Sequence, residues 1–383
     1  MGRIFRRFFI LVLLLVLVLP LTAVFAEGEG WIIEELKLFS KGVGVISEAY
    51  VGDVTPRDLL YKAMKGMLGS LDRFSEFIEP GRFNLLQIQI KGEYAGIGAL
   101  LEMINGQVVI KAVEPGKPAQ KAGLLQGDIL LKVDGVSLEK KVVGDVSALL
   151  RGDVDTPVVV SLLRPPSMQT LDIKILRQKI EIQSVQDVRM IGKAAAYFRL
   201  SGWQDNTSSQ ADKALKDLKK QGMKALVIDL RNNDGGLLTQ AVALAERFLP
   251  KGKKIVSVQS KIAEQRKEYF VSENGNYVNI ELVILVNGYS ASASEVFSGA
   301  MQDHKRATLI GVKTFGKGSV QSVVPFDDKS AMKLTTARYA TPSGRVIDMV
   351  GLTPDRDVAN SPDGTPGVDR QILEAITVLK QYM

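Results

Sequence analysis

The chain has 383 residues, 46% hydrophobic and 24% charged, which suits two or three globular domains and excludes a disordered or fibrous protein. It has no cysteine and a single histidine, His304, so thiol nucleophiles, disulfides and the common structural zinc sites are excluded. The net charge is +7, but Arg3, Arg6 and Arg7 of one acid-free terminal segment supply three of it, and no basic run elsewhere argues for nucleic-acid binding.

At the N-terminus these arginines precede an apolar run over residues 8–19, and Val24-Phe25-Ala26 offers small residues for cleavage. That is the layout of a secretory signal peptide over residues 1–26, with Glu27 the first mature residue. The apolar stretch 8–26 is also just long enough to span a bilayer, so an uncleaved anchor with membrane association is the rival; Pro20, a helix breaker, favours cleavage. Either way the bulk of the chain is expected outside the cytoplasm, in the periplasm or cell envelope.

Residues 27–82 read as a helical region. Thr55-Pro56-Arg57-Asp58 supplies a capping hydroxyl, a first-turn proline and an acid three residues on, and Leu59, Leu60, Ala63, Met67 and Leu68 continue the helix. Pro80-Gly81 marks a break. Residues 83–179 change to short strands and turns, at 108–110, 129–133, 158–162 and 171–173, with Asp134-Gly135 a turn.

From residue 180, strands and helices alternate: strand 225–230, loop 231–236, helix 237 to about 248, then strand 281–286, loop 287–291 and helix 292 to about 303. Buried strands feeding helices in this way predict a parallel α/β core, with function at the loops leaving the strand ends.

Three loops can carry chemistry. Ser292 and Glu295 form a capping box, a structural role that serines fill routinely. A helix start also exposes free amides and partial positive charge, which suits a nucleophile and its oxyanion. Lys317 lies between Gly316 and Gly318, where close backbone approach can bury the amine and lower its pKa far enough for it to act as a base; the bland alternative is a solvated surface lysine. The segment 311–317 is nearly a phosphate-binding loop, but Gly318 replaces the required serine or threonine and residues 319–324 read as a strand. His304 sits at the far end of the helix that Ser292 begins, out of hydrogen-bond reach. In the third loop, Gly235-Gly236 can be a plain turn or present an amide to a site.

Ser290-Ala291-Ser292-Ala293-Ser294-Glu295 followed by Thr314-Phe315-Gly316-Lys317-Gly318-Ser319-Val320-Gln321 resembles the carboxyl-terminal processing (tail-specific) proteases, relatives of tricorn protease. The resemblance implies Ser292 as nucleophile, Lys317 as general base, Gln321 orienting that amine, and the amides of Gly236 and Ala293 as the oxyanion hole. It extends over nearly all of the mature chain. Lys65-Gly66-Met67-Leu68 and Leu71-Asp72 are similar to the family's N-terminal helical region. Tyr94-Ala95-Gly96-Ile97-Gly98 is similar to the carboxylate-binding loop of its PDZ domain, and Arg338-Tyr339 and 351–355 to its C-terminal segment. The chain departs from the pattern at Asp234, where proline or glycine is more usual.

The expectation is an α/β protein of four parts: signal peptide 1–26, N-terminal helical region 27–82, PDZ domain 83–179, and a crotonase-like protease core with a C-terminal helix over 180–383. The implied activity is a serine endopeptidase that needs no metal or organic cofactor. Its implied partners are protein or peptide substrates held by their C-termini through Gly96, Ile97 and Gly98, with self-association through the helical ends. The alternative is a non-catalytic envelope PDZ scaffold that binds tails without cutting them.

Overall fold

The computed structural model describes residues 29–359 and 369–383, so the expected leader at 1–26 lies outside the described residues. Two helices come first, Glu29–Ala49 and Pro56–Gly69. The second starts as its capping pattern predicts: Thr55 accepts the N–H of Asp58 at 3.1 Å, and Pro56 occupies the first turn. The first leaves Ile33, Leu36, Leu38 and Phe39 facing solvent. Among the described residues no helix is long and apolar enough to cross a membrane.

Pro80-Gly81 does not break structure but opens a third helix, Pro80–Lys91, ended by Gly92 at φ 69. Proline fits a first helical turn because its missing N–H is not needed there, and a glycine in the left-handed region closes the other end. The short strands therefore begin at Glu93 rather than Phe83. Strands Ala99–Ile104, Gln107–Val113, Ile129–Val133, Pro157–Arg164 and Gln169–Leu176 form one antiparallel sheet, which packs with the helix Val143–Leu150. Alternate residues Val158, Val160 and Leu162 are fully buried in its core, the period-two pattern of a half-buried sheet. Asp134 and Gly135 both have positive φ, which matches the right-handed twist of the strands they join.

The core sheet has the order Val185–Met190, Ala195–Leu200, Ala225–Asp229, Glu281–Val286, Thr308–Gly311, Arg356–Asp357, parallel throughout except for the first pair. Side chains of alternate strand residues divide between two layers. Phe198, Leu226, Ile228, Leu282 and Ile284 pack under the helices Thr207–Lys220, Leu238–Glu246 and Ala293–Asp303. Tyr197, Val227, Val283, Leu285 and Ile310 pack under Ala375 and Leu379, from the C-terminal helix Arg370–Val378 and its end.

A second, antiparallel sheet holds Ser319–Pro325, Ala331–Ala340, Lys254–Ser260 and Lys267–Phe270. The strand Glu76–Ile78 joins it by pairing with residues 331–333, although more than 250 residues separate them in sequence. The antiparallel unit of residues 93–181 is thus inserted after a strand that belongs to the core.

Candidate active site

Two strand ends and the start of one helix converge. The helix Ala293–Asp303 is buried on every side over residues 293–301, so its N-terminus opens from the middle of the core. Three serines line its entry, and their hydroxyls differ. Ser290 donates to the Leu230 carbonyl at 2.8 Å, and Ser294 donates to the Asn233 carbonyl at 3.1 Å while accepting the Trp203 indole N–H at 2.9 Å. Both are fully buried and serve to lock the loop 287–294 against the loop 230–233. Ser292 is only half-buried, and its hydroxyl faces Tyr339 rather than a backbone carbonyl. Its backbone is held at φ 56, ψ −116, a region costly for a residue with a Cβ, at roughly 1–3 kcal/mol. The surrounding hydrogen bonds fix it there.

The neighbouring loop supplies backbone amides. Asn233, fully buried, donates to the Leu200 carbonyl at 2.8 Å and accepts the Gly235 N–H at 3.0 Å. This aims Gly235-Gly236 at Ser292. A Cβ on Gly235 would fall 2.7 Å from the Ser292 Cβ and 3.2 Å from the Ala293 nitrogen; one on Gly236 would strike the Trp203 carbonyl oxygen at 2.4 Å. Both glycines have positive φ, so no other residue fits this approach. Neither the Gly236 N–H nor the Ala293 N–H has a hydrogen-bond partner among the described residues.

Lys317 arrives from a loop between Thr308–Gly311 and Ser319–Pro325. Its amine is partly buried, 5.0 Å from the Phe74 ring centroid, and forms no ion pair among the described residues. Burial pushes its pKa below the ordinary lysine value, and repulsion from Lys333 adds to this, while Asp234, Glu295 and Glu76 pull upward. The strand following this loop is what excludes a phosphate-binding loop, which would need a helix there.

Glu295 does more than its capping box required. Wholly buried, it accepts the N–H groups of Ser292 (2.9 Å), Gly316 (2.8 Å) and Lys317 (2.9 Å) and the Thr314 hydroxyl (2.6 Å). Burial raises its pKa above the usual carboxylate value, and the four donors oppose that shift. Tyr339, also buried, donates its hydroxyl to the Lys317 carbonyl and faces Ser292, and burial holds its phenol well above the ordinary tyrosine value. Neither role is visible in the sequence, where Glu295 reads as a cap and Tyr339 only as part of a stretch similar to the family's C-terminal segment.

Ser292, Lys317, Gly236 and Ala293 thus gather at one place. Gln321 lies beside them, but its amide nitrogen donates to Ser319 Oγ at 2.8 Å and Thr335 Oγ1 at 3.3 Å rather than contacting the Lys317 amine. His304 caps the opposite end of the helix, roughly 18 Å from Ser292 at 1.5 Å per residue, with Nε2 2.7 Å from the Lys254 carbonyl oxygen.

Gly96, Ile97 and Gly98 lie elsewhere, at the edge of the antiparallel unit. Ile97 is buried in that unit's core, and its carbonyl accepts the Ala119 N–H at 2.7 Å. The N–H groups of Ile97 and Gly98 have no partner among the described residues, and Gly98 sits at φ 72 against Lys117. Nearby Tyr94, Ala148, Arg151 and Lys91 line a cleft of ≈ 480 Å³.

Glu295 thus ties the helix-start loop of Ser292 to the loop of the partly buried Lys317, and the core that holds them is joined to a separate antiparallel unit. Residues 194–358 match peptidase family S41, and residues 109–164 match the PDZ domain. The carboxy-terminal-processing protease of Bartonella bacilliformis is 38% identical over 313 residues, covering 80% of this chain and 71% of that one. The chloroplastic C-terminal processing peptidase of Tetradesmus obliquus is 37% identical over 315 residues, covering 77% and 67%. A solved photosystem II D1 C-terminal processing protease aligns at 33% identity over 85% of this chain and 93% of that one, with a TM-score of 0.48. The chain belongs to the carboxy-terminal-processing protease family.

Proposed function

We propose that this protein is a serine endopeptidase that cuts proteins at or near their C-terminal tails. Ser292 is the nucleophile and Lys317 the general base. The Ser292 hydroxyl attacks the substrate carbonyl as neutral Lys317 Nζ takes its proton, and the oxyanion that forms is held by the N–H groups of Gly236 and Ala293. The Lys317 ammonium then returns the proton to the departing amine. Water then attacks the acyl-enzyme as Lys317 takes its proton, and the Lys317 ammonium returns that proton to the departing Ser292 oxygen. Gln321 orients the amine when its side chain swings from Thr335 toward Lys317, in keeping with catalytic hydrogen bonds that tighten only around substrate.

The observation that carries this reading is the pair of unpartnered amides, Gly236 and Ala293, beside the one serine of three whose hydroxyl donates to no backbone carbonyl among the described residues. The PDZ domain selects the substrate: the free N–H groups of Ile97 and Gly98, with Gly96 before them, receive the terminal carboxylate as the tail adds a strand. Residues 1–26 direct export to the periplasm or envelope, as a cleaved leader or a retained anchor, and the exposed apolar side of Glu29–Ala49 supports self-association. Incubation with an unfolded protein beside a Ser292→Ala control tests the proposal. Cleavage by the parent alone is the expected result; binding without cleavage by both would leave a tail-binding scaffold.

A further inference from the structure

The catalytic region described so far is built from residues beyond 180, yet one side of Lys317 is covered from the N-terminal region. Residues 72–75 form a tight turn between the helix Pro56–Gly69 and the strand Glu76–Ile78. The Asp72 carboxylate accepts the N–H groups of Phe74 (2.7 Å) and Ser75 (2.8 Å) and the Ser75 hydroxyl (2.9 Å), which fixes the turn. The turn is then docked on the second sheet. Thr335 donates its N–H to Ser75 Oγ at 3.1 Å and its hydroxyl to Asp72 at 3.2 Å, and Lys333 Nζ donates to Glu76 at 2.7 Å. Thr335 also receives Gln321.

This anchoring aims the Phe74 ring at the amine of Lys317, 5.0 Å from its centroid. Arg73 fills the space on the solvent side, its guanidinium 4.6 Å from the Phe74 ring and 5.1 Å from that of Phe315, and donates to the Gly316 carbonyl at 3.5 Å. We propose that Phe74 is a positioning residue of the active site: its ring keeps water from the Lys317 amine and holds Nζ beside Ser292. The N-terminal region is then a working part of the protease and not only a lead-in to the PDZ domain. The inference rests on the reading of Lys317 as base.

Two effects of the ring on the amine oppose each other. Its face attracts the ammonium form, and its bulk strips that form of water. The charged groups that act on Nζ are Lys333, which disfavours the ammonium, and Asp234, Glu295 and Glu76, which favour it; loss of solvent is the largest single influence, and the net shift is downward. Removing the ring admits water, which solvates an ammonium better than a ring face does, so the amine becomes harder to deprotonate.

The test is the pH dependence of kcat/KM for an unfolded protein substrate, which reports the free enzyme's titrating base. In Phe74→Ala the acid limb is expected to move up by about one pH unit, a roughly tenfold loss at neutral pH that is recovered at higher pH. Phe74→Leu keeps the cover and should show no upward movement; Phe74→Val should fall between, and it carries the test if the alanine variant does not fold. A loss that is equal at every pH, or a limb unmoved in both Ala and Val, overturns the proposal. If Lys317→Arg abolishes turnover while the Phe74 variants leave the limb in place, only the role of Phe74 fails. Turnover retained by Lys317→Arg overturns both readings.

Discussion

The carboxylate of Glu295 accepts the backbone N–H of Ser292 and that of Lys317 through the same oxygen, Oε2, at 2.9 Å each. One buried acid therefore sets the spacing between the two loops that carry the proposed nucleophile and base. Its other oxygen, Oε1, holds Gly316 and Thr314, so the lysine loop is gripped at three residues, Thr314, Gly316 and Lys317.

Glu295→Gln preserves shape but places an NH₂ group against two donors whichever way the amide points. An unsatisfied buried donor costs about 1–3 kcal/mol. The melting temperature should fall, and kcat should fall by about tenfold or more, because the loops are free to separate. Thermal melts and single-turnover cleavage check this; parent-like values in both would show that Glu295 does not set the geometry.

Asp234 exerts an upward pull on the Lys317 pKa. The base must be neutral to work, so activity rises as pH rises through that pKa. Asp234→Asn removes a charge that favours the ammonium, and the acid limb of kcat/KM should move to lower pH, with turnover at neutral pH raised. An unmoved or upward-shifted limb would rule out this influence.

His304 is bonded to the Lys254 carbonyl at the far end of the helix from Ser292. His304→Gln should retain turnover within a few-fold of the parent. A loss as deep as that of Ser292→Ala, with an unchanged melt, would restore a histidine-dependent mechanism.

On the proposed reading, tail recognition is separable from chemistry. With Ser292→Ala full-length protein, a peptide ending in a free carboxylate should bind more tightly than its amidated form in titration calorimetry. Gly98→Val should erase that difference, because a Cβ there would lie 2.5 Å from the Lys117 Cβ at a backbone angle that disfavours side chains. Equal affinity for both peptides in the parent sequence would remove carboxylate capture from the account.

The alternation of strands and helices after residue 180, and the loops that hold Ser292 and Lys317, were legible in the sequence because local pattern governs them: a fully apolar strand, a turn, then a cap. Glu295 was only half legible. Its link to Ser292 is local, but Gly316 and Lys317 lie more than 20 residues on and reach it only through tertiary folding. Phe74 was not legible, since its place over Lys317 depends on the pairing of Glu76 with Lys333 across the inserted PDZ domain. The helix Pro80–Lys91 was misread because a proline that ends one element can equally start the next.

Lys317→Arg tests the role of Lys317 as a base with the least change of shape or charge. Arginine stays protonated at every usable pH and cannot take the Ser292 proton. Turnover of an unfolded protein substrate should fall by about 10²–10⁴-fold at neutral pH, with the melting temperature unchanged. Turnover within a few-fold of the parent, at an unchanged melting temperature, would contradict the account.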